Sequence, residues 1–433
     1  MMKKAVLVCI LFAALQAFGA VQRFPTPDFE SAYRLPQTQT PPPRGDLYEY
    51  IDTAVLVAAL GLASWLALGL RSRRGIFALM LFCLAYFGFW RKGCVCPIGA
   101  IQNVTESLIR PDYAVPLTVA VFFVLPLVFA LLYGRVFCAA VCPLGAIQDA
   151  VVLRPARVPR AVAEALSLLP HVVLGLAILL VLNGGGYLIC RLDPFVAFFR
   201  LGGAAVMLIS GGVVLLIGTV VARPYCRFFC PYGVLLGWAS LVSRRHLTIT
   251  PDDCVNCRLC EDACPFGAIL PANEGNPAAD RGVGRRAARH ALTLPLVIAV
   301  FVLAGGAAGR ALSPANRSVR LDRQIAAEDF GAAEPADESR AFRAGGTPRE
   351  ELREEVRRVQ FGFVRGGRLL GAYLGLVIGL KLIRLAGSRR RDEYEPDRAR
   401  CLSCGRCFEY CPREHLKRRG GTAIPVRQHE NST

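Results

Sequence analysis

Seven long apolar blocks constrain the fold of this chain more than any other feature of its sequence. They run over residues 51–70, 75–90, 115–133, 170–189, 202–222, 291–309 and 367–386. Their lengths are close to the roughly 20 residues that a helix needs to cross a bilayer, and backbone groups in hydrocarbon must be satisfied within their own segment, as a helix does. A soluble chain with buried helices is the alternative that this pattern disfavours. The pattern predicts an α-helical membrane protein with about seven transmembrane helices.

The N-terminus and the basic residues predict how these helices are oriented. Residues 1–20 combine Lys3 and Lys4 with a short apolar stretch and small residues, which is typical of a signal peptide, with an uncleaved anchor as the alternative. Basic clusters follow the first block, separate the third from the fourth and follow the seventh, and the positive-inside rule places them in the cytoplasm. We therefore attribute much of the formal charge of +18 to orientation, and no nucleic-acid partner is expected. The predicted location is a bacterial inner (cytoplasmic) membrane, in a multi-pass arrangement.

One cysteine motif occurs twice within the membrane part. The sequence F-C-A-A-V-C-P, with Cys138 and Cys142, returns 88 residues later as Y-C-R-F-F-C-P, with Cys226 and Cys230. Each copy follows an apolar block, and a further cysteine loop lies upstream of each copy. These loops are C-V-C-P-I-G, with Cys94 and Cys96, and C-R-L-D-P-F, with Cys190. We expect an internal two-fold repeat, and sites in such membrane proteins tend to form where the halves meet.

Two further cysteine runs carry the most specific signal in the chain. Residues 254–265 and 401–412 both read C-x2-C-x2-C-x3-C-P, the bacterial pattern for [4Fe-4S] clusters. In two-cluster ferredoxins the fourth cysteine of each run binds the other cluster. The spacing predicts two [4Fe-4S] clusters, cluster one on Cys254, Cys257, Cys260 and Cys411, and cluster two on Cys401, Cys404, Cys407 and Cys264. Zinc is the alternative ligand of such cysteine groups, and two complete runs with a terminal proline disfavour it.

This exchange of ligands requires both runs to lie on one side of the membrane. Two apolar blocks separate the runs, and an even number of crossings returns the chain to the same face. We expect a small cytoplasmic two-cluster ferredoxin-like α+β module assembled from two separate segments. The expected order is a signal peptide at 1–20, an outer Pro-rich segment at 21–50, a five-span membrane core at 51–245, ferredoxin-like segment one at 246–290, a transmembrane helix at 291–309, an outer loop at 310–365, a transmembrane helix at 366–387 and ferredoxin-like segment two at 388–433. Little apolar material is present in the outer loop, which is predicted to end in a solvated helix.

The cysteines at the ends of the blocks are candidates for one or two further iron-sulfur clusters. The first candidate set is Cys138, Cys142, Cys226 and Cys230, which could hold a third cluster at the cytoplasmic ends of two blocks, with structural thiols or a redox disulfide as alternatives. The second set, expected on the opposite face, is Cys94, Cys96 and Cys190, with Asp193 as a candidate fourth ligand. Because a hydrocarbon core of about 30 Å is too wide for useful single-step tunnelling, sites on both faces would serve electron transfer across it. Cys9 and Cys83 are expected to be ordinary apolar residues.

At these motifs the chain resembles the NosR/NapH-type membrane-bound polyferredoxins, over about residues 51–270 and 395–415. The resemblance implies a relay between quinol or cytoplasmic donors and periplasmic reductase systems, with Cys138, Cys142, Cys226 and Cys230 as the matching C-x3-C-P pairs. Three features depart from that family: no exported flavin domain is visible, C-V-C-P has one residue between its cysteines instead of three, and two spans are inserted between the ferredoxin runs. The expected partners are the membrane and other redox proteins, namely a flavoprotein, the quinone pool or a periplasmic reductase.

The sequence carries no motif for a substrate or a nucleotide. It has no C-x-x-C-H haem attachment, no G-x-G-x-x-G turn and no P-loop. The leading hypothesis is an electron-transfer subunit of an oxidoreductase system rather than a stand-alone enzyme, and the rival is a redox-sensing or assembly factor for a periplasmic metalloenzyme. A cation transporter ranks last because no acidic residue lies deep in a block. His171, at the start of the fourth block, could belong to a quinone site, and a helix cap is the alternative.

Overall fold

The computed structural model describes residues 46–93, 96–110, 113, 115–249, 254–272, 277–346, 348–386 and 393–418. The predicted signal peptide, most of the Pro-rich segment and Cys94 lie outside these residues. The helices, in chain order, are α1 Asp46–Ser64, α2 Arg73–Cys83, α3 Pro97–Ser107, α4 Leu117–Tyr133, α5 Pro143–Ala150, α6 Arg160–Leu166, α7 Leu169–Leu182, α8 Leu188–Leu192, α9 Val196–Arg200, α10 Ala205–Gly218, α11 Pro224–Phe228, α12 Tyr232–Leu241, α13 Leu259–Asp262, α14 Pro277–Leu312, α15 Arg317–Asp329, α16 Asp337–Ala344, α17 Arg349–Ala386, α18 Arg406–Glu409 and α19 Pro412–Arg418. Wider π-helical turns span Trp65–Gly69, Leu84–Trp90 and Phe137–Val141, and a 3-10 turn spans Ser313–Ala315.

Four helical stretches of the described chain are long and apolar enough to cross a membrane. They cover Leu47–Gly69, Arg73–Trp90, Arg160–Leu182 and Ala288–Ala315. Shorter apolar helices lie at Leu117–Tyr133, Ala205–Gly218 and Tyr232–Leu241, and the first two coincide with the predicted third and fifth spans. These helices support the prediction of an α-helical membrane protein. The number of seven spans stays a prediction.

Helices α14 and α17 form a long hairpin whose axes approach closely at glycines. A Cβ atom on Gly305 would overlap the carbonyl oxygen of Gly367, and one on Gly371 would overlap the carbonyl oxygen of Phe301. Small residues at such contacts let two helix backbones pack directly, which is how helices associate in lipid, where apolar burial gives no driving force. The apolar side chains that this hairpin turns outward, such as Leu303, are exposed in the chain and available to lipid.

The predicted outer loop folds more than its composition indicates. Helices α15 and α16 and the start of α17 enclose a small apolar cluster of Val319, Ile325, Leu352 and Val356. The predicted solvated helix before the last span is the first part of α17, which continues into the last apolar block without interruption. This small core was not foreseen, because its apolar residues are few and are brought together from both ends of the loop.

The two ferredoxin-like segments meet in a two-stranded antiparallel sheet. Strand β1, Ile269–Leu270, pairs with β2, Glu395–Pro396, and Asp397 donates its N–H to the carbonyl of Ala268 at 2.7 Å. Phe266 and Phe408, one from each segment, are buried in the same apolar core. The structure thus joins two stretches that lie more than a hundred residues apart into one module with α-helix and β-strand.

This module packs against one end of the membrane helices. Arg71, between α1 and α2, donates to the carbonyl of Thr248 at 2.8 Å and forms an ion pair with Glu414 at 2.6 Å. Ser240, near the end of α12, donates to the carbonyl of Arg398 at 2.7 Å. Contacts from several helices to both segments fix which end of the helices carries the module.

Candidate iron-sulfur sites

Three cysteines of the first run and one of the second surround one small cavity. Cys254, Cys257 and Cys260 line it together with Cys411, which arrives from the far segment at the start of α19. Arg258 and Tyr394 complete the wall. The grouping coincides with the ligand set predicted for cluster one.

A second small cavity has the reciprocal composition. Cys401, Cys404 and Cys407 line it together with Cys264 from the first run. This is the ligand set predicted for cluster two. No group of three or more His, Cys, Asp or Glu side chains among the described residues is arranged to hold a single metal ion. Four cysteines around one cavity are the ligand number that a [4Fe-4S] cluster takes.

The two runs reach this arrangement through the same backbone conformation. Asn256 and Ser403, each two residues after the first cysteine of a run, have positive φ, and so do Arg258 and Gly405, each one residue after the second cysteine. Left-handed residues at these positions curl the loop and turn successive cysteines to one side. Such φ values are uncommon for side chains other than glycine, and they cluster at functional sites where the surrounding structure maintains them.

Burial and backbone donors define the electrostatics of these thiols. Burial raises the pKa of Cys260 and of Cys401 to about 12. Ser403 donates its N–H to Cys401 Sγ at 3.4 Å, and Ala268 donates its N–H to Cys264 Sγ at 3.4 Å. Thiols with such raised pKa values are protonated at neutral pH, so iron binding has to release their protons. The N–H donors then favour the thiolate and influence the potential of a bound cluster.

The four cysteines of the repeated motif also come together. Cys142 lies within electrostatic range of Cys226, Cys138 and Cys230, and none of these four cysteines is joined in a disulfide. Cys142 and Cys230 are buried. Gln148 donates to Cys226 Sγ at 3.2 Å. The set therefore has the composition of a third four-thiol site, formed at the meeting of the two repeats.

Two arginines next to these four cysteines each contact the other copy of the repeated motif. Arg135 and Arg223 hold equivalent positions, each three residues before the first cysteine of a pair. A Cβ atom added to Gly233 would lie 3.2 Å from the Arg135 guanidinium, and one added to Gly145 would lie 3.1 Å from the Arg223 guanidinium. Each arginine thus reaches the C-P-x-G turn of the other repeat. A reciprocal exchange of this kind is what a pseudo-twofold relation between the halves would produce.

The same arginines face the ferredoxin-like module. Arg135 donates to the carbonyl of Ala399 at 2.9 Å and lies within electrostatic range of Cys401. Arg223 lies within electrostatic range of both Cys226 and Cys404. The cavity of Cys401, Cys404, Cys407 and Cys264 and the third four-thiol site therefore face each other across two buried or half-buried guanidinium groups.

The second candidate set of membrane cysteines is described in part, since Cys94 lies outside the described residues. Cys96, which immediately precedes α3, lies within electrostatic range of Cys190 and of the buried Asp193. Tyr225 lies within electrostatic range of Asp193 and Cys96 as well as of Cys230. Because one tyrosine reaches both sets, they lie closer together than two sites on opposite faces of a core about 30 Å thick would.

Asp149 is a central site residue that sequence reasoning missed. Its carboxylate is buried and pairs with Arg223 at 3.2 Å, Arg73 at 3.3 Å and Arg406 at 3.3 Å. Arg73 also donates to the carbonyl of Cys404 at 3.0 Å. Asp149 has no sequence signal of its own, whereas the sequence R-x-[FY]-C before both cysteine pairs marks the equivalent arginines.

His171 joins two helices and makes no cap. Its Nδ1 lies 2.6 Å from the hydroxyl of Tyr373 on α17, and its ring lies 6.1 Å from that of Trp238. Helix α7 has no side-chain cap at its N-terminus. The expected helix-cap role is therefore replaced by a contact that attaches α17 to the membrane core.

Comparisons with known proteins identify 4Fe-4S binding domains in this chain. A family model described as a 4Fe-4S binding domain matches residues 115–160 and again residues 203–250, so that each match contains one C-x3-C-P pair. Another model with the same description matches residues 247–270, which hold the first ferredoxin run. No solved structure matches this chain.

Three relatives show the extent of the similarity. An uncharacterised protein of Methanocaldococcus jannaschii is 30% identical over 190 residues, which cover 42% of this chain and 77% of that protein. YccM of Escherichia coli, named for an inferred role in electron transport, is 27% identical over 39% of this chain and 52% of its own length. The protein NirI of Paracoccus denitrificans is 31% identical over 34% of this chain and 24% of its own length.

Proposed function

Because this chain belongs to the NosR/NapH-type family of membrane-bound 4Fe-4S proteins, we propose that it relays electrons between a quinol or cytoplasmic donor and a partner redox system at or across the membrane. It is an iron-sulfur electron-transport protein by that membership. The chain spans about half the length of YccM and about a quarter of NirI, so the donor and the acceptor are part of the proposal.

The ligand sets of the proposal follow the two cavities and the repeated motif. Two [4Fe-4S] clusters are assigned to Cys254, Cys257, Cys260 and Cys411 and to Cys401, Cys404, Cys407 and Cys264, and a third cluster is assigned to Cys138, Cys142, Cys226 and Cys230. The supporting features are the shared left-handed loops and the N–H donors to sulfur. Clusters bound there would supply one-electron chemistry.

The observation that carries the relay is the continuity of the thiol sets. The two ferredoxin cavities share one module. Arg135 contacts Cys138 Sγ at 3.8 Å and the carbonyl of Ala399, two residues before Cys401, at 2.9 Å, and Tyr225 lies within electrostatic range of both Cys230 and Cys96. A redox sensor needs one centre that an external reagent can reach. A series of neighbouring sites that leads from a surface module into the membrane part favours transport of electrons.

The proposed topology has seven spans, an internal two-fold repeat and the ferredoxin-like module in the cytoplasm of a bacterial inner membrane. The reciprocal contacts of Arg135 and Arg223 support the repeat. The basic residues Arg71 and Arg73 at the module's end of the helices support the cytoplasmic side under the positive-inside rule. Reporter fusions after residues 70 and 387 should both report the cytoplasm.

The test is electron transfer across a vesicle membrane. Anaerobically purified protein in liposomes is given a membrane-impermeant reductant outside and an impermeant oxidant inside. We expect transfer that depends on protein, that is mostly lost in Cys226→Ser and that is unchanged in Cys83→Ser, a control cysteine that is buried in α2 and belongs to none of the thiol sets. A colourless, iron-free protein, or transfer as fast in Cys226→Ser as in the parent, would refute the relay.

A further inference from the structure

The loop of Cys96 contains a C-P-x-G turn like those at Cys142 and Cys230, and it is most similar to the turn at Cys142, which begins α5. Residues 96–102 read C-P-I-G-A-I-Q, and residues 142–148 read C-P-L-G-A-I-Q. In both, the cysteine is extended and caps a helix whose first residue is proline. The two heptapeptides differ at one position, so their similarity concerns the whole turn and its helix start as well as the cysteine.

The glutamines that end the two heptapeptides make the same contact. Both Gln102 and Gln148 are fully buried. Gln102 accepts a hydrogen bond from the N–H of Ile189 at 2.8 Å, and Gln148 accepts one from the N–H of Tyr225 at 3.0 Å. The residue after each of these donors is a cysteine.

Those cysteines are Cys190 and Cys226, so Cys190 is placed relative to Cys96 as Cys226 is placed relative to Cys142. Cys190 also lies close to this turn, since a Cβ atom on Gly99 would lie 3.6 Å from Cys190 Sγ, whereas one on the equivalent Gly145 would meet Arg223. The thiol pair of Cys96 and Cys190 is therefore built by the same backbone devices as half of the third four-thiol site.

The two sites differ in the residue that precedes the next proline and in its spacing, which is four residues after Cys226 and three residues after Cys190. Cys226 is followed by C-P at Cys230, whereas Cys190 is followed by D-P at Asp193. Asp193 is 5% exposed, and its Oδ1 accepts a hydrogen bond from the N–H of Phe195 at 2.9 Å. No Lys, Arg or His among the described residues forms an ion pair with it, although Cys96 lies within electrostatic range. A buried carboxylate without a cation is costly, and a bound metal would remove that cost.

We propose that Asp193 supplies a carboxylate ligand to an iron-sulfur centre that it shares with Cys96 and Cys190. The inference rests on the proposed function only in that the chain binds iron-sulfur clusters. Cys94 plays no part in the argument. Replacing one thiolate by a ligand that donates less electron density raises the potential of such a centre, as histidine does in Rieske centres. This centre would therefore have a higher midpoint potential than its all-cysteine counterpart.

The test compares Asp193→Asn and Asp193→Cys with the parent protein, all purified anaerobically with iron-57. Iron per chain, Mössbauer spectra and EPR-monitored redox titrations are measured. In Asp193→Asn we expect loss of one centre, which is about four irons under a [4Fe-4S] stoichiometry. In Asp193→Cys we expect full iron content and a midpoint potential shifted to lower values for one centre only. The matched control is Asp52→Asn, another buried acid, which pairs with Arg91 at 2.7 Å.

Two outcomes separate this inference from the relay. If both Asp193 variants retain the parent's iron content, Mössbauer spectrum and midpoint potentials, Asp193 is not a ligand, whatever the liposome assay shows. If the Asp193 variants change one centre as expected while the parent protein carries no electrons across liposomes, the ligand stands and the relay fails. The signals of the ferredoxin-like module serve as the internal reference, and their loss in Asp193→Cys would also contradict the proposal.

Discussion

Replacing Asp149 by asparagine should weaken the attachment of the ferredoxin-like module to the membrane helices. The carboxylate has no exposed side-chain surface and pairs with Arg223, whose side chain is 1% exposed, at 3.2 Å. It also pairs with Arg73, which holds the carbonyl of Cys404, and with Arg406 in the second cysteine run. The amide would leave Arg223 buried without a negative partner.

Two independent estimates give the size of the effect. Burial raises the pKa of Asp149, but the three arginines outweigh it and hold the pKa at about 2 against an ordinary 3.8. That difference corresponds to about 2.5 kcal/mol between the charged and neutral forms. Removing one partner of a buried ion pair typically costs about 3 to 5 kcal/mol. We therefore expect a loss of about 3 kcal/mol.

The pH of the measurement follows from the sign of the shift. A carboxyl whose pKa is lower in the folded state contributes stability that is fully present above pH ~4 and is lost as the pH falls towards ~2. At neutral pH the whole contribution is present. Anaerobic thermal melting, followed by the visible absorbance of the clusters, should then show a melting temperature lower by roughly 3 °C in Asp149→Asn.

The control is Asp329→Asn, which removes a surface carboxylate paired with Arg349 and should cost at most about 1 kcal/mol. A double variant, Asp149→Leu with Arg223→Met, removes both buried charges and should recover most of the loss. Melting of Asp149→Asn no lower than that of the Asp329→Asn control would refute the reasoning.

Three further predictions follow from other contacts. Cys411→Ser should abolish the same EPR signal as Cys257→Ser, because both cysteines line one cavity, and loss of two different signals would exclude the exchange of ligands between the runs. Gly371→Ala should lower the melting temperature, because its Cβ would overlap a carbonyl of α14. Gly212 has open space around it, so the control Gly212→Ala should leave the melting temperature unchanged. Equal effects of the two substitutions would contradict the close helix contact. Arg135→Gln should lower the midpoint potential of the third cluster, because a positive charge beside Cys138 Sγ stabilises the reduced, more negative state, and an unchanged potentiometric titration would remove this arginine from the site.

The sequence alone was sufficient to predict the features that depend on cysteine spacing. The C-x2-C-x2-C-x3-C-P runs define which cysteine exchanges with which, and the structure groups Cys411 and Cys264 accordingly. The repeated motif could be recognised because both copies keep the order of cysteine, proline and glycine, and the two-fold relation of the halves stays a prediction. The family expectation is confirmed by the comparisons. These features are local in sequence, so one chain without relatives is enough to read them.

Other features depend on contacts between distant residues and could not be read in this way. Asp149 attracts no attention in the sequence, since only folding places three arginines around it. The proximity of Cys96 to Tyr225 was also unexpected, because counting spans assigns faces to loops but gives no depth for the short helices between them. The cluster around Val319 forms for the same reason, from residues that seem too few when they are read in order.

The pairing of β1 with β2 has a consequence for biogenesis. Ribosomes complete the first half of the module well before the second emerges, because the α14–α17 hairpin lies between the two halves in the chain. Until then neither cavity has its fourth sulfur, so a nascent or wrongly threaded chain offers no finished receptacle for iron. Cofactor loading would thereby report that both halves of the module have been made and have met, and chains arrested before that step would remain unmetallated.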